Sequence, residues 1–144
     1  MRLYPNMLQN SFYTLETVPE TTATHMQATI RLNPDHAIFA GHFPGQPVVP
    51  GVCMLQIIKE LLESAIGQRL QLTQAGNVKF LTVLTPQAHA VVDVRLNFES
   101  SESGILLSEA TISADTTRFI RLQQAHYAPR NHSLTPASGA LRPA

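Results

Sequence analysis

Between His36 and Gln56 the chain reads HAIFAGHFPGQPVVPGVCMLQ, which brings Gly41, Gly45, Gly51, Pro44, Pro47 and Pro50 into one short span. Glycine reaches backbone conformations closed to other residues, and proline fixes φ and lacks an N–H. Such density therefore dictates a tight, non-repetitive backbone. The span runs directly into VCMLQIIKELLE, an apolar stretch that reads as a helix. One histidine, His42, lies inside the tight turn and is the first candidate for chemistry.

Position suggests roles for three residues. Gly51 falls at the start of the helix, where the first N–H groups lack internal partners and carry the positive end of the dipole. With no side chain there, a ligand carbonyl can approach that N–H, and such a donor stabilises an oxygen that becomes negative during reaction. His42 titrates near neutrality, so it can take or give a proton. Its place between Gly41 and Phe43-Pro44-Gly45 points to function rather than packing. Gln56 is the only polar residue between Val52 and Ile58. A buried amide needs partners, which makes Gln56 a candidate to face a ligand or a partner group. It also falls in register with Lys59, Glu60 and Glu63 at i, i+3, i+4 and i+7, the solvent stripe of an amphipathic helix. The pattern leaves both readings of Gln56 open.

The same residues carry a family resemblance. The segment resembles the active-site signature of the hot-dog-fold 3-hydroxyacyl-(acyl carrier protein) dehydratases, approximately G-H-F-P-G-x-P-x-x-P-G-V followed four residues later by Glu or Asp. Gly41-His42-Phe43-Pro44-Gly45, Pro47 and Pro50-Gly51-Val52 all match, without a gap. The resemblance implies an α+β hot-dog fold, a curled antiparallel sheet wrapped around one central helix. It implies that His42 is the catalytic base and that the Gly51 N–H polarises a thioester carbonyl, with Phe43, Pro44, Val52 and Leu55 bordering the substrate. It also implies a homodimer, or a higher or mixed oligomer, with an acyl tunnel at the interface where His42 of one chain meets Gln56 of the other. The substrate would be a thioester of acyl carrier protein or coenzyme A, with no cofactor. The family's acidic residue falls on Gln56, a departure that bears on the reaction and not on the fold.

Three courses follow from that departure. Protonated His42 returns the proton to the leaving hydroxyl itself. Alternatively a carboxyl elsewhere substitutes; Glu60 shares the Gln56 face but lies one turn farther from Gly51. Or catalysis is lost and acyl binding remains, in a subunit paired with an active dehydratase. A hot-dog thioesterase is a further alternative, although the first two helical turns hold no added carboxylate to serve as its base.

The rest of the 144 residues reads as one domain, residues 1–127, followed by a tail, 128–144, rich in Pro, Ser, Ala and Arg with no period and no expected fixed structure. Net charge is zero, so no electrostatic footprint for nucleic acid or an anionic membrane is evident. Charged residues are sparse at 14%, which suits a surface partly covered by another subunit. A single cysteine, Cys53, excludes an intrachain disulfide and reads as buried among Val52, Met54 and Leu55. With no apolar signal core and no run of membrane-spanning length, the expectation is a cytoplasmic protein. The six histidines are scattered without ligand-like pairs, so no metal is expected; His36 reads as a surface residue, with a role in orienting the turn as the alternative.

Strands are expected at 11–18, at Thr24–Leu32 from its alternation, at Asn77–Leu84, and at Ala90–Glu99 from the clearest two-residue period. A hairpin at 100–104, a return strand to Ala114, and Arg118–Tyr127 close the sheet. The helix is expected from Val52 to Ala65 or Ile66, capped by Gly67, with its first two turns deeply buried.

Overall fold

The alternation in the middle of the chain becomes the centre of a sheet. In β5 (Val91–Ser101), Val92, Val94, Leu96 and Phe98 are buried, while Arg95, Asn97 and Glu99 are exposed. β3 (His25–Leu32) does the same with Met26, Ala28, Ile30 and Leu32. Side chains on a strand point alternately to its two faces, so these residues give each strand one apolar face. The two strands pair antiparallel from His25↔Asn97 to Arg31↔Val91. The structure, a computed structural model, describes residues 8–41 and 45–130.

Around this pair the order is β1-β3-β5-β6-β7-β4, antiparallel throughout, with β1 at Tyr13–Leu15, β6 at Gly104–Ala114, β7 at Thr117–Pro129 and β4 at Leu70–Phe80; β2 (Glu20–Thr21) pairs off this path with β3. The first strand is shorter than expected because only Phe12 and Tyr13 bury side chains before the chain turns outward. The hairpin between β5 and β6 closes on the pair Ser101↔Gly104. β7 continues to Pro129, two residues past the expected end of the domain, with Ala128 opposite Gln71 and Pro129 opposite Leu70. The tail beyond residue 130 lies outside the described residues.

Irregularities bend the sheet. The β5–β6 register shifts between Asn97 and Phe98, which pair with Glu109 and Leu107. Ser108 is the extra residue, and its hydroxyl donates to the Asn97 carbonyl at 3.0 Å. A bulge of this kind kinks a strand and increases its twist. On β7, Gln124 takes φ 54°, and a Cβ on the facing Gly76 would stand 2.8 Å from the Gln124 Cβ. Gly76 lets the two backbones approach there.

The long helix α2 (Gly51–Ile66) packs Met54, Ile57, Ile58, Leu61 and Leu62 into the core formed by the inner sheet face. It ends as expected: Gly67 adopts φ 83°, and its N–H donates to the Glu63 carbonyl at 2.8 Å. An antiparallel sheet curled on one main helix is the α+β hot-dog fold. A shorter helix, α1 (Ala37–Gly41), was not expected. No helix among the described residues is long and apolar enough to cross a membrane.

Two further expectations about this frame need correction. β4 begins at Leu70 rather than Asn77 and ends at Phe80 rather than Leu84. It is an edge strand, exposed along nearly its whole length. A strand with little buried on either face has no reason to alternate, so its first half carries no readable period. The start of α2 is not deeply buried throughout: Cys53 and Met54 are, but Val52 is 75% exposed and Leu55 only half-buried.

Candidate active site

The turn that carries His42, Phe43 and Pro44 lies outside the described residues, so the expected base and two of its substrate-bordering neighbours have no geometry to report. Both flanks of the turn are placed. On the near side, the Ile38 N–H donates to His36 Nδ1 at 3.0 Å at the start of α1. The His36 ring meets Phe12 edge-on at 5.3 Å, and Phe12 stacks on Phe39 at 5.1 Å. His36 is therefore a half-buried residue that fixes the approach to the turn, not a surface one. On the far side, Gly45 takes φ 84°, a conformation that favours glycine.

Pro50 caps α2 in an extended conformation with no side-chain bond, and its carbonyl accepts the Cys53 and Met54 N–H groups at 3.0 and 3.2 Å. The N–H groups of Gly51 and Val52 precede the first intrahelical acceptor, so the helix cannot satisfy them. Gly51 lines an apolar groove of about 380 Å³ together with Val48, Met54, Phe80 and Val83. The absence of a side chain at Gly51 is used by the protein itself. An added Cβ would stand 2.8 Å from Cε1 and Cζ of Phe80, whose ring lies over the glycine.

Gln56 lines a different cavity, of about 320 Å³, with Val52, Leu55, Lys59, Leu72 and Tyr127. The structure thus brings Val52, Leu55 and Gln56 together on one side of α2 and places Gly51 on a neighbouring concavity. Beneath Gln56 lies a residue that sequence reasoning misplaced. Glu60 was expected on a solvent stripe, yet it is fully buried; Glu63 is 6% exposed. Glu60 Oε2 accepts the Leu8 N–H at 2.9 Å and Gln56 Nε2 at 2.8 Å. Its Oε1 accepts the Gln9 N–H and the Tyr13 hydroxyl, both at 3.0 Å. Four donors occupy the carboxyl, so Glu60 has no lone pair left for a further donor. Glu63 is likewise engaged, accepting the Leu70 N–H at 2.8 Å with Arg69 Nε at 3.9 Å. The signal that could have found Glu60 is its bracket of Ile57, Ile58, Leu61 and Leu62, since an acid enclosed by core residues must have buried donors.

The electrostatics follow from burial. Tyr13 is pushed well above the ordinary phenol range by desolvation first and by the Glu60 charge and hydrogen bond next, so it remains a donor. Tyr127 is pushed up to about 12 by burial, with Glu63 adding to the effect. Burial raises the Cys53 thiol, which favours its neutral form, and the side chain packs in the core. No group of three or more His, Cys, Asp or Glu among the described residues is arranged to hold a metal.

The model of the ApeI-like family, described as ApeI dehydratase, matches residues 18–116, more than half of the chain. The chain belongs to the ApeI-like dehydratase family. Curated relatives of this family member include the 3-hydroxyacyl-(acyl-carrier-protein) dehydratases FabZ of Clostridium acetobutylicum, 27% identical over 85 residues, and of Paramagnetospirillum magneticum, 27% identical over 95. The alignments cover 54% and 53% of this chain, and 60% and 59% of those proteins. Among solved structures, the dehydratase heterocomplex ApeI:P from Xenorhabdus doucetiae superposes with a TM-score of 0.61 at 18% identity, over 74% of this chain and 89% of that one. A hypothetical thioesterase with coenzyme A from Streptococcus pneumoniae gives 0.54 at 9% identity, over 83% and 88%. At such identities these likenesses show the fold alone.

Proposed function

We propose that this ApeI-like chain removes water from a 3-hydroxyacyl thioester, carried on acyl carrier protein or coenzyme A, to give the trans-2-enoyl thioester. The observation that carries this reading is the Gly51 amide, left without a partner by its own helix and bordering an apolar groove. His42 takes a proton from C2. The electrons move onto the thioester oxygen, which the Gly51 N–H stabilises as negative charge develops. The C3–O bond then breaks, and the imidazolium returns its proton to the departing hydroxyl, which leaves as water. Gln56 hydrogen-bonds the hydroxyl but donates no carboxylic proton.

The reading includes a homodimer. Gly51 and Gln56 line separate concavities of one chain, and β4 offers a long uncovered edge beside exposed Val52, Phe80 and Val83. An unprotected edge of that length is a template for pairing with another strand. In the proposed dimer, Gly51 and His42 of one chain act together with Gln56 of the other.

A second reading has a specific observation in its favour. With residue 56 an amide and Glu60 occupied by four donors, neither supplies an acid, which suits an acyl-binding subunit that completes a site with an active partner. Hydration of crotonyl-pantetheine separates the readings. Turnover by wild type that is lost in His42→Ala supports the dehydratase. Binding without turnover supports the subunit, and thiol release without hydration would mark a thioesterase.

A further inference from the structure

The direction of one hydrogen bond gives Glu60 a role. Gln56 borders the cavity beside Val52 and Leu55, and its Nε2 donates inward to Glu60 Oε2 at 2.8 Å. Glu60 is fully buried, and it also accepts from Leu8, Gln9 and Tyr13. It therefore offers acceptor oxygens toward Gln56. The reversed carboxamide would set oxygen against oxygen, so chemistry fixes the amide with nitrogen inward. Oε1 is then the acceptor that the amide has left for the cavity.

Resting on the acyl-thioester reading above, we propose that Glu60 is a positioning residue: it presents Gln56 Oε1 as a hydrogen-bond acceptor to the 3-hydroxyl of the bound chain. The bond selects 3-hydroxyacyl over saturated chains. It also orients C3–O without protonating it, because an amide oxygen has no proton to give. The N-terminal segment contributes indirectly, since Leu8, Gln9 and Tyr13 hold the Glu60 carboxyl in place.

The test measures binding by calorimetry in full-length protein carrying His42→Ala, which stops turnover. The ligands are 3-hydroxybutyryl-pantetheine and butyryl-pantetheine. One neutral hydrogen bond predicts that the hydroxylated ligand binds roughly 3- to 10-fold tighter. Adding Glu60→Gln, which lets the Gln56 amide turn over, brings the ratio to about one while butyryl affinity stays unchanged. Adding Tyr13→Phe removes one Glu60 donor but leaves its bond to Gln56, so thermal stability falls and the ratio is retained. A merely structural Glu60 would move both variants alike. If Glu60→Gln does not fold, Gln56→Met, which leaves Leu8, Gln9 and Tyr13 on Glu60, is expected to abolish the ratio in its place. An undiminished ratio in Glu60→Gln, or in Gln56→Met, overturns the proposal. A ratio near one in the parent protein overturns it while leaving the acyl-thioester reading intact. Failure to bind either ligand sinks that reading as well.

Discussion

The ring of Phe80 occupies the space beside Gly51 that a side chain there would need, with Cε1 and Cζ both 2.8 Å from an ideal Cβ. Phe80 is 55% exposed and belongs to the end of an edge strand, so its ring can yield. Gly51→Ala is therefore expected to cost about 1 kcal/mol of stability or less, near the low end for overpacking. It should lower kcat/KM by roughly tenfold or more, because the displaced ring enters the groove beside the amide. Gly76→Ala provides the contrast. Its added methyl would meet backbone oxygens of Gln123 and Gln124 at 3.1 and 3.0 Å, which cannot move aside. Stability should fall by about 1 to 3 kcal/mol with turnover per folded molecule preserved. Urea denaturation and hydration rates on both variants check the pair.

Removing the Glu60 carboxyl strands the donors gathered on it. In Glu60→Ala the buried Leu8 N–H and Tyr13 hydroxyl lose their acceptor inside the protein, and the half-buried Gln9 N–H loses its bond to the carboxyl. Buried donors without partners cost about 1 to 3 kcal/mol each, before any cavity is counted. A loss on the order of 3 kcal/mol or more is expected in urea, against about 1 kcal/mol for Tyr13→Phe. Equal, small losses in the two would show that the N-terminal segment contributes nothing to the fold.

Placing an acid at position 56 is not a one-residue change. Gln56→Glu replaces a donor with a carboxyl 2.8 Å from Glu60 Oε2, and two acids in contact repel when both are charged. The single variant should be destabilised by a few kcal/mol and gain little rate. The double variant Gln56→Glu/Glu60→Gln exchanges the two groups, keeps a donor facing an acceptor, and recovers part of that stability. Under the dehydratase reading its hydration rate should exceed wild type, because a carboxyl can protonate the leaving group where an amide cannot. Melting temperatures and rates of wild type and the three variants form a double-mutant cycle; additive effects would contradict the pairing.

How much of this was legible follows from what each residue faces. β3 and β5 were readable because one face of each is buried and the other wet, so Met26 to Leu32 and Val92 to Phe98 alternate visibly. The α2 boundaries were readable from Pro50-Gly51 and Gly67, whose backbone conformations are local properties. The first half of β4 was not, since an edge strand exposed on both faces leaves no pattern. Glu60 was not either. A charge at helical spacing looks solvated until the segment from Leu8 to Tyr13, some fifty residues away in sequence, closes over it. Gly51 and Gln56 were identifiable as candidates; that they line separate concavities depends on the three-dimensional course of β4 and β7.

Alkaline pH should loosen the protein through its buried phenols. Burial raises the Tyr127 pKa from 10.0 to about 12, and Tyr13 is raised further in the same direction. Both groups are neutral in either state below pH 10, so their contribution is fully present there. Above pH 10 the unfolded chain releases protons that the folded chain retains, and stability falls as pH rises toward 12. For Tyr127 alone the loss is on the order of 2 to 3 kcal/mol over that window. Tyr127→Phe should flatten the decline in melting temperature between pH 10 and 12 relative to wild type. An identical slope in the variant would mean that Tyr127 titrates as freely folded as unfolded.

The proposed dimer makes the last prediction. β4 carries Leu72 and Phe80 at 38% and 55% exposure, and Val52 and Val83 extend the apolar surface at 75% and 67%. If a second copy covers this face, Leu72→Lys combined with Phe80→Lys places two charges in an apolar interface, which costs several kcal/mol when they are desolvated without partners. The double variant should sediment as a monomer where wild type is a dimer, with little change in far-ultraviolet circular dichroism, because both side chains are already substantially exposed in the single chain. Activity should fall with the loss of the dimer and recover partly at high protein concentration, as mass action refills the interface. Phe80 also borders Gly51, so a variant that stays dimeric yet inactive would point to damage in the groove and not to assembly. Leu72 borders the Gln56 cavity as well, so Ala75→Lys alone, on exposed β4 and outside the linings of both concavities, decides between the two: a monomeric, inactive Ala75→Lys requires the second chain for the site, whereas a monomeric and active one excludes it.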